Sequence, residues 1–236
     1  MKALLLAAGR GTRISRYLQG NPKCTVDIAG TPLIIYTINM LKKKGITDIA
    51  IVTGYRHEVI EDLVAEENVK IYYNPFYDVT NSIASAWFAK NFLQDDDVMI
   101  MNADVFCEEV IYDKLLSLKE SPVMLADSTR KEDADYKFCY ENNRLIKYGK
   151  ELTGDDITGE YVGIAKLDKT FVPTFMNKLE EMINTQEHSV WWENVLYSMI
   201  GERDVLVHDI AGNFWAEVDY IEDYQRILKF CDAKTF

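Results

Sequence analysis

Residues 3–8 read ALLLAA, a short apolar run that stops at the turn Gly9-Arg10-Gly11-Thr12-Arg13. A continuous apolar run bounded by turn residues is the pattern of a strand buried on both faces. Such a strand needs covering layers, so the chain is committed to an α/β architecture from its first residues. The turn itself is chemically specific. Small residues let a ligand approach the backbone, successive N–H groups there can cradle anionic oxygens, and Arg10, Arg13 and Lys23 add positive charge beside them. This is a design for holding phosphate. It lacks the Gly-Lys-Ser/Thr ending of the P-loop and the third glycine of the dinucleotide fingerprint.

The alternation continues. Pro32 opens LIIYTINMLKKKG, which has helical spacing and a stop at Gly45; DIAIVT (48–53) reads as a buried strand; 57–66 is an amphipathic helix; 69–73 a strand; 82–93 a helix; and 98–102 a strand. These are right-handed βαβ units, and the expected fold is a Rossmann-like three-layer α/β/α sandwich with a mostly parallel mixed sheet. The second half differs. Two strands flank the polar turn 141–143, a strand spans 161–167, helices fall near 171–183 and 191–200, strands near 205–210 and 214–218, and a last helix over 221–230. The 236 residues show no repeat or linker, so one domain is expected, with a nucleotide half (about 1–110) and a small acceptor-binding lobe (about 111–236).

The net charge of −12 disfavours nucleic acid as a partner. The local bases at the N-terminus therefore point to one small anionic ligand. Four scattered cysteines, no apolar run of membrane-spanning length and a strand beginning at Lys2 lead to an expected cytoplasmic protein with reduced thiols. The three histidines suggest neither a triad nor a zinc site.

Several polar residues sit where ligands bind in open parallel sheets, beyond carboxyl strand ends. Asp104 follows the strand VMIMN, and Asp219 follows AEV just before the last helix. Each reads equally as a helix or turn cap, and Asp219 to Glu222 has the form of a capping box. Asn81 and Ser82 open a helix and serve either as caps or, with Ser85, as contacts to a base and ribose. Gly54 and Tyr55 end a strand in the same way.

AAGRGTR followed by NPK resembles the signature of the nucleotidyltransferase superfamily, with Ser15 to Leu18 (SRYL) departing from its usual xPLT. TGYRHE, NPFYDVTNSIASAW, NADV, VWWENVL and AEVDYIEDY together resemble the bacterial choline-phosphate cytidylyltransferase-like branch. The resemblance implies transfer of a cytidylyl group from CTP to a phosphorylated acceptor, with Mg²⁺ held by Asp104 and Asp219. It implies nucleotide contacts at Leu6, Ala7, Ala8, Gly9, Arg10, Gly11, Thr12, Arg13, Lys23, Gly54, Tyr55, Asn81, Ser82, Ser85 and Ala103. Lys23, Arg13 and Asp104 become the expected catalytic residues: Lys23 bridges the α-phosphate and the acceptor, and Arg13 grips the departing phosphates.

The acceptor end rests on Tyr136, Tyr161, Trp191, Trp192, Glu193 and Trp215. Aromatic faces beside a carboxylate recognise a quaternary ammonium. Tryptophans are also ordinary core residues, and neighbours on a helix point apart, so at most one of Trp191 and Trp192 is expected to face a ligand. Lys137 and Arg130 are either acceptor-phosphate contacts or solvated surface bases. Phosphocholine is the favoured acceptor. The alternatives are 2-aminoethylphosphonate, an inositol or sugar phosphate, a glycosyltransferase with a modified Asp-x-Asp at Asn102-Ala103-Asp104, and a silent regulatory domain. The sequence leaves a homodimer open.

Overall fold

The computed structural model describes residues 1–14 and 17–234. Ser15, the first residue of the SRYL departure, lies with Arg16 outside the described residues. The chain begins with β1 (Lys2–Ala7) and passes through the small hairpin of β2 (Asp27–Ile28) and β3 (Thr31–Pro32). It continues as α1 (Leu33–Lys43), β4 (Asp48–Thr53), α2 (His57–Leu63), β5 (Lys70–Tyr73), α3 (Ser82–Phe88) and β6 (Val98–Asn102). Then come β7 (Val105–Cys107), α4 (Glu109–Ser117), β8 (Val123–Asp127), β9 (Lys137–Glu141), β10 (Arg144–Gly149) and β11 (Gly159–Leu167). The last elements are α5 (Val172–Asn184), α6 (Asn194–Tyr197), β12 (Leu206–Asp209), β13 (Trp215–Glu217) and α7 (Ile221–Lys234).

Among the described residues, nine strands form the main sheet in the order β5-β4-β1-β6-β11-β8-β12-β10-β9. β5, β4, β1 and β6 run parallel, whereas β11 is antiparallel to both β6 and β8. β9 pairs with β10 and also with the start of β11. The pairings β11-β8-β12-β10-β9-β11 therefore return to their starting strand.

Alternation along β1 sorts the core into two layers. Leu4 and Leu6 face a cluster built with Ile83, Phe175, Leu179 and Trp192 from α3, α5 and the approach to α6. Ala3, Leu5 and Ala7 face Ile34, Ile38, Ile60, Ile111 and Leu115 from α1, α2 and α4. This is the three-layer sandwich anticipated from the apolar runs. α7 closes a third, smaller cluster through Ile227, against Ile14, Leu33 and Phe106.

The sequence pattern and the structure part at several boundaries. α3 stops at Phe88, and Ala89, Phe92 and Leu93 complete the apolar face from turns instead. α6 is four residues long because tighter i→i+3 turns flank it: Val195 N donates to Trp192 O at 3.1 Å before it, and Met199 N to Leu196 O at 3.1 Å after it. The stretch 103–135, unassigned by periodicity, holds β7, α4 and β8.

β11 carries an irregularity between Tyr161 and Ala165, and Gly163 sits there at φ +84°. A Cβ at that position would stand 2.8 Å from Val105 Cγ2. The bulge turns the first part of β11 toward β9, with which Gly159 and Glu160 pair. Gly163→Ala combines left-handed strain with overpacking and should cost about 2 kcal/mol. That loss corresponds to a melting temperature roughly 4–8 °C lower in a thermal unfolding scan.

Candidate active site

The carboxyl ends of β1, β4 and β6 open onto one side of the sheet, as expected of a parallel arrangement. There the backbones run in close contact. Ala103 N donates to Leu6 O at 3.0 Å, and Tyr55 N donates to Ala8 O at 3.0 Å. A Cβ at Gly54 would lie 2.8 Å from both Ala8 and Tyr77, so the small residues of AAG and TGY are required for these turns to meet. Gly11 adopts φ +57°, and a side chain there would strike Lys23 Cγ at 2.5 Å. The glycine-rich turn is thus folded over the Lys23 stem.

β13 pairs antiparallel with β7, with Glu217 opposite Val105, and Val218 N donates to Asp104 O at 3.0 Å. This pairing brings the two sequence-distant aspartates together. Asp104, Glu217 and Asp219 each offer a carboxylate oxygen, and the three atoms lie within 4.8 Å of one another. Lys23 Nζ donates to Asp104 Oδ2 at 3.1 Å and also to Asp219 Oδ1. Arg13 donates to Asp219 Oδ2 at 2.7 Å. Asp219 therefore spends its oxygens on two cations and does not cap α7; Asp223 receives the Tyr220 N–H instead.

The electrostatics follow from this crowding. Burial pulls the Lys23 ammonium toward deprotonation, but Asp104, Asp219 and Glu217 outweigh it and hold the group more firmly protonated than a free lysine. Asp219, above all, raises Arg13 further. Burial, together with Asp104 and Asp219, pushes the Glu217 carboxyl well above its ordinary range.

Two cavities meet at this cluster. The larger, of about 510 Å³, is lined by Arg10, Gly11, Thr12, Arg13, Lys23, Glu217 and Asp219. Tyr136, Tyr161, Trp191, Glu193 and Tyr197 line the same cavity. The smaller, of about 250 Å³, is lined by Leu6, Ala8, Gly9, Tyr77, Asn81, Ser82, Ser85 and Asp104, among others. Asn81, Asn102, Trp191 and Glu217 border both. Ala7 and Ala103 line a third hollow of about 70 Å³ beneath the glycine turn. Tyr55 stands beside the loop with Arg10 over its ring at 5.5 Å.

The aromatic end is a packed wall. Tyr136 meets Trp191 edge-on at 5.3 Å and lies nearly parallel to Tyr197 at 6.0 Å. Glu193 is buried within it, and burial raises its carboxyl to about 7 even though the Asn102 amide pulls it back.

Four expected acceptor contacts are committed to other partners. Trp192 is fully buried and lines none of these cavities; its indole N–H donates to Asn102 Oδ1 at 3.1 Å. Trp215 is buried and donates to Asp127 Oδ2 at 3.0 Å. Lys137 Nζ is taken by the carbonyls of Lys150 and Leu152. Arg130 is paired with Glu160 at 2.6 Å in a small neighbouring cavity of about 110 Å³ that shares Asp135, Glu217 and Asp219 with the larger one. Ser85 is buried and accepts from Asn74 Nδ2 at 3.1 Å.

Glu217, Asn102, Tyr77, Tyr197, Lys150 and Asp135 join the site without having been anticipated. Glu217 and Asn102 had a legible signal: each is the last residue of a strand, two residues before a candidate aspartate.

Residues 3–169 match the MobA-like NTP transferase domain. The chain belongs to that family. It is a nucleotidyltransferase of the choline-phosphate cytidylyltransferase-like branch. The choline-phosphate cytidylyltransferase of Streptococcus pneumoniae is 30% identical over 96% of this chain and 96% of its own length. The CTP:phosphoglutamine cytidylyltransferase of Campylobacter jejuni is 28% identical over 95% of this chain and 98% of its own. The solved structure of the S. pneumoniae CTP:phosphocholine cytidylyltransferase superposes with a TM-score of 0.80 at 24% identity, covering 97% of this chain and 98% of that one. No helix of the described residues is long and apolar enough to cross a membrane.

The Lys23 ammonium and any divalent cation compete for the same carboxylate oxygens. Lys23→Met should therefore lower the Mg²⁺ concentration needed for a given rise in melting temperature. The comparison is a thermal-shift titration against the wild-type protein.

Proposed function

We propose that this protein, acting as one catalytic domain, joins CTP to a small phosphorylated amino alcohol, with phosphocholine favoured, and releases pyrophosphate. The observation that carries this reading is that the aromatic wall with buried Glu193 lines the same cavity as Lys23, Glu217 and Asp219. A quaternary ammonium cannot donate hydrogen bonds, so it needs aromatic faces and a nearby negative charge. Tyr136, Trp191, Tyr161 and Tyr197 supply the faces, and Glu193 the charge. The smaller cavity, with its small-residue floor at Leu6, Ala8 and Gly9, suits the nucleoside.

In the reaction, an oxygen of the acceptor's phosphate attacks the α-phosphorus of CTP. A new O–P bond forms, the bond from the α-phosphorus to the bridging oxygen breaks, and its electron pair leaves with pyrophosphate. The nucleophile is already anionic near neutral pH, so no protein base is needed. The residues must instead align two anions and screen their repulsion. Lys23 is the cation we assign between the acceptor and the α-phosphate. Arg13 and Arg10 face the departing phosphates, beside the N–H groups of the glycine turn.

Asp104, Glu217 and Asp219 fit a divalent cation, because a compact set of carboxylate oxygens suits a hard ion such as Mg²⁺. Bound there, Mg²⁺ would neutralise charge on the triphosphate.

A second reading keeps the same chemistry with 2-aminoethylphosphonate. A cytidylyltransferase for that compound from Lancefieldella rimae is 27% identical over 94% of this chain. A primary ammonium would use Glu193 as a hydrogen-bond acceptor. Pyrophosphate release with CTP and Mg²⁺ should be fastest with phosphocholine in a panel that also holds phosphoethanolamine, 2-aminoethylphosphonate, inositol phosphate and glucose-1-phosphate. Faster release with the primary amines would give the second reading the site. Release only with the last two would overturn both.

The acceptor pocket also makes a pH prediction. Glu193 attracts a cation only when ionised, and its carboxyl is raised to about 7. Acceptor kcat/KM should therefore fall as pH drops through about 7. The acceptor's phosphate titrates near 6 in its own right, so the assignment lies in the difference between wild type and Glu193→Gln. The variant should lose affinity and also lose the limb near 7.

A further inference from the structure

Trp192 is one of the largest fully buried side chains in the protein, yet both residues beside it, Trp191 and Glu193, line the acceptor cavity. Two polar groups hold it from opposite sides. Its backbone N–H donates to Ser82 Oγ at 2.9 Å, and its indole N–H donates to Asn102 Oδ1 at 3.1 Å. The Asn102 amide, fixed in that orientation, turns its Nδ2 toward Glu193 Oε1 at 3.5 Å. The segment before Trp192 is tied to the same helix start: Asn81 N donates to His188 O at 2.9 Å, and Ile83 N to Val190 O at 3.4 Å. The first N–H groups of α3 are thus spent on this segment and on Asn81 Oδ1, which accepts from Ser82 N at 2.8 Å.

We propose that Trp192 is a positioning residue for the acceptor site, with Ser82 and Asn102 as its two anchors. It acts as a buried peg that fixes the directions in which Trp191 and Glu193 project. The inference rests on the acceptor reading of the larger cavity, and it gives Ser82 and Trp192 a shared task in place of direct contact with a substrate. The physical reason is geometric. Neighbouring residues on one segment cannot all face one cavity, so the aim of the two outer side chains depends on how the middle one is seated. A hydrophobic ring alone could rotate or slide in its pocket. Two directional hydrogen bonds at different points of the same residue remove that freedom. Asn102 borders both cavities and Ser82 the smaller one, so the anchors also join the nucleoside side of the site to the acceptor side.

Trp192→Phe keeps a ring and removes the indole donor; Ser82→Ala removes the other anchor; Ser82→Thr restores a hydroxyl. Each is compared with wild type using whichever small phosphorylated acceptor the wild-type protein turns over. Failure of phosphocholine as a substrate is read from the wild type alone and leaves this comparison intact. Loss of one hydrogen bond should raise acceptor KM about five- to tenfold in Trp192→Phe and Ser82→Ala. CTP KM should stay within about twofold in Trp192→Phe, whose side chain lines neither cavity, and Ser82→Thr should recover most of the acceptor loss. A parallel rise of both KM values in Trp192→Phe would make the effect a general weakening of the fold and overturn the proposal. Hydrogen exchange of residues 188–193, which needs no turnover, should quicken in Trp192→Phe and Ser82→Ala while the strands of the main sheet keep their protection. Unchanged exchange in that segment would overturn the proposal whatever the acceptor.

Discussion

The pairing of β13 with β7 is the constraint on which the site depends. It is a short ladder, three residues long on each strand, but it carries Glu217 and Asp219 to the end of β6, where Asp104 already stands. Three carboxylates at that spacing repel one another, and the arrangement persists because Lys23 and Arg13 are drawn into it. The glycine-rich turn is held down through the same contacts, since Gly11 lies directly over the Lys23 side chain. Ladder, carboxylates and phosphate-type turn therefore form a single unit, in which each part fixes the charge environment of the next.

The first half of the chain was legible in the sequence because its signals are local. ALLLAAG, DIAIVTG and VMIMN are buried runs ending in small or polar residues, and each becomes a parallel strand whose carboxyl end meets the site. Asp104 and Asp219 could be named one at a time from their places after strands. That they converge depends on the antiparallel β7–β13 pair, a contact between distant segments that no local pattern encodes. Glu217 was missed for the same reason, although its spacing of two from Asp219 was in view.

The acceptor half was harder to read because aromatic residues serve in both cores and binding walls. Trp191, Trp192 and Trp215 have the same chemistry in the sequence, and only burial separates them. Trp191 is 42% exposed at the cavity, whereas Trp192 and Trp215 are buried with their indole N–H groups committed to Asn102 and Asp127. The lysines show the same limit. Lys23 and Lys137 both precede short apolar stretches, but one lies among three carboxylates and the other is consumed by backbone carbonyls.

The return of β9 onto β11 has a mechanical consequence. A sheet that ends in a free strand can hinge open like a page, and many two-lobed proteins admit their ligands that way. Here the strand at the far end is stitched back to the middle of the sheet, so β11, β8, β12, β10 and β9 are braced like a hoop. The closure also sets two walls of the larger cavity side by side: Tyr161 N donates to Tyr136 O at 2.9 Å across it.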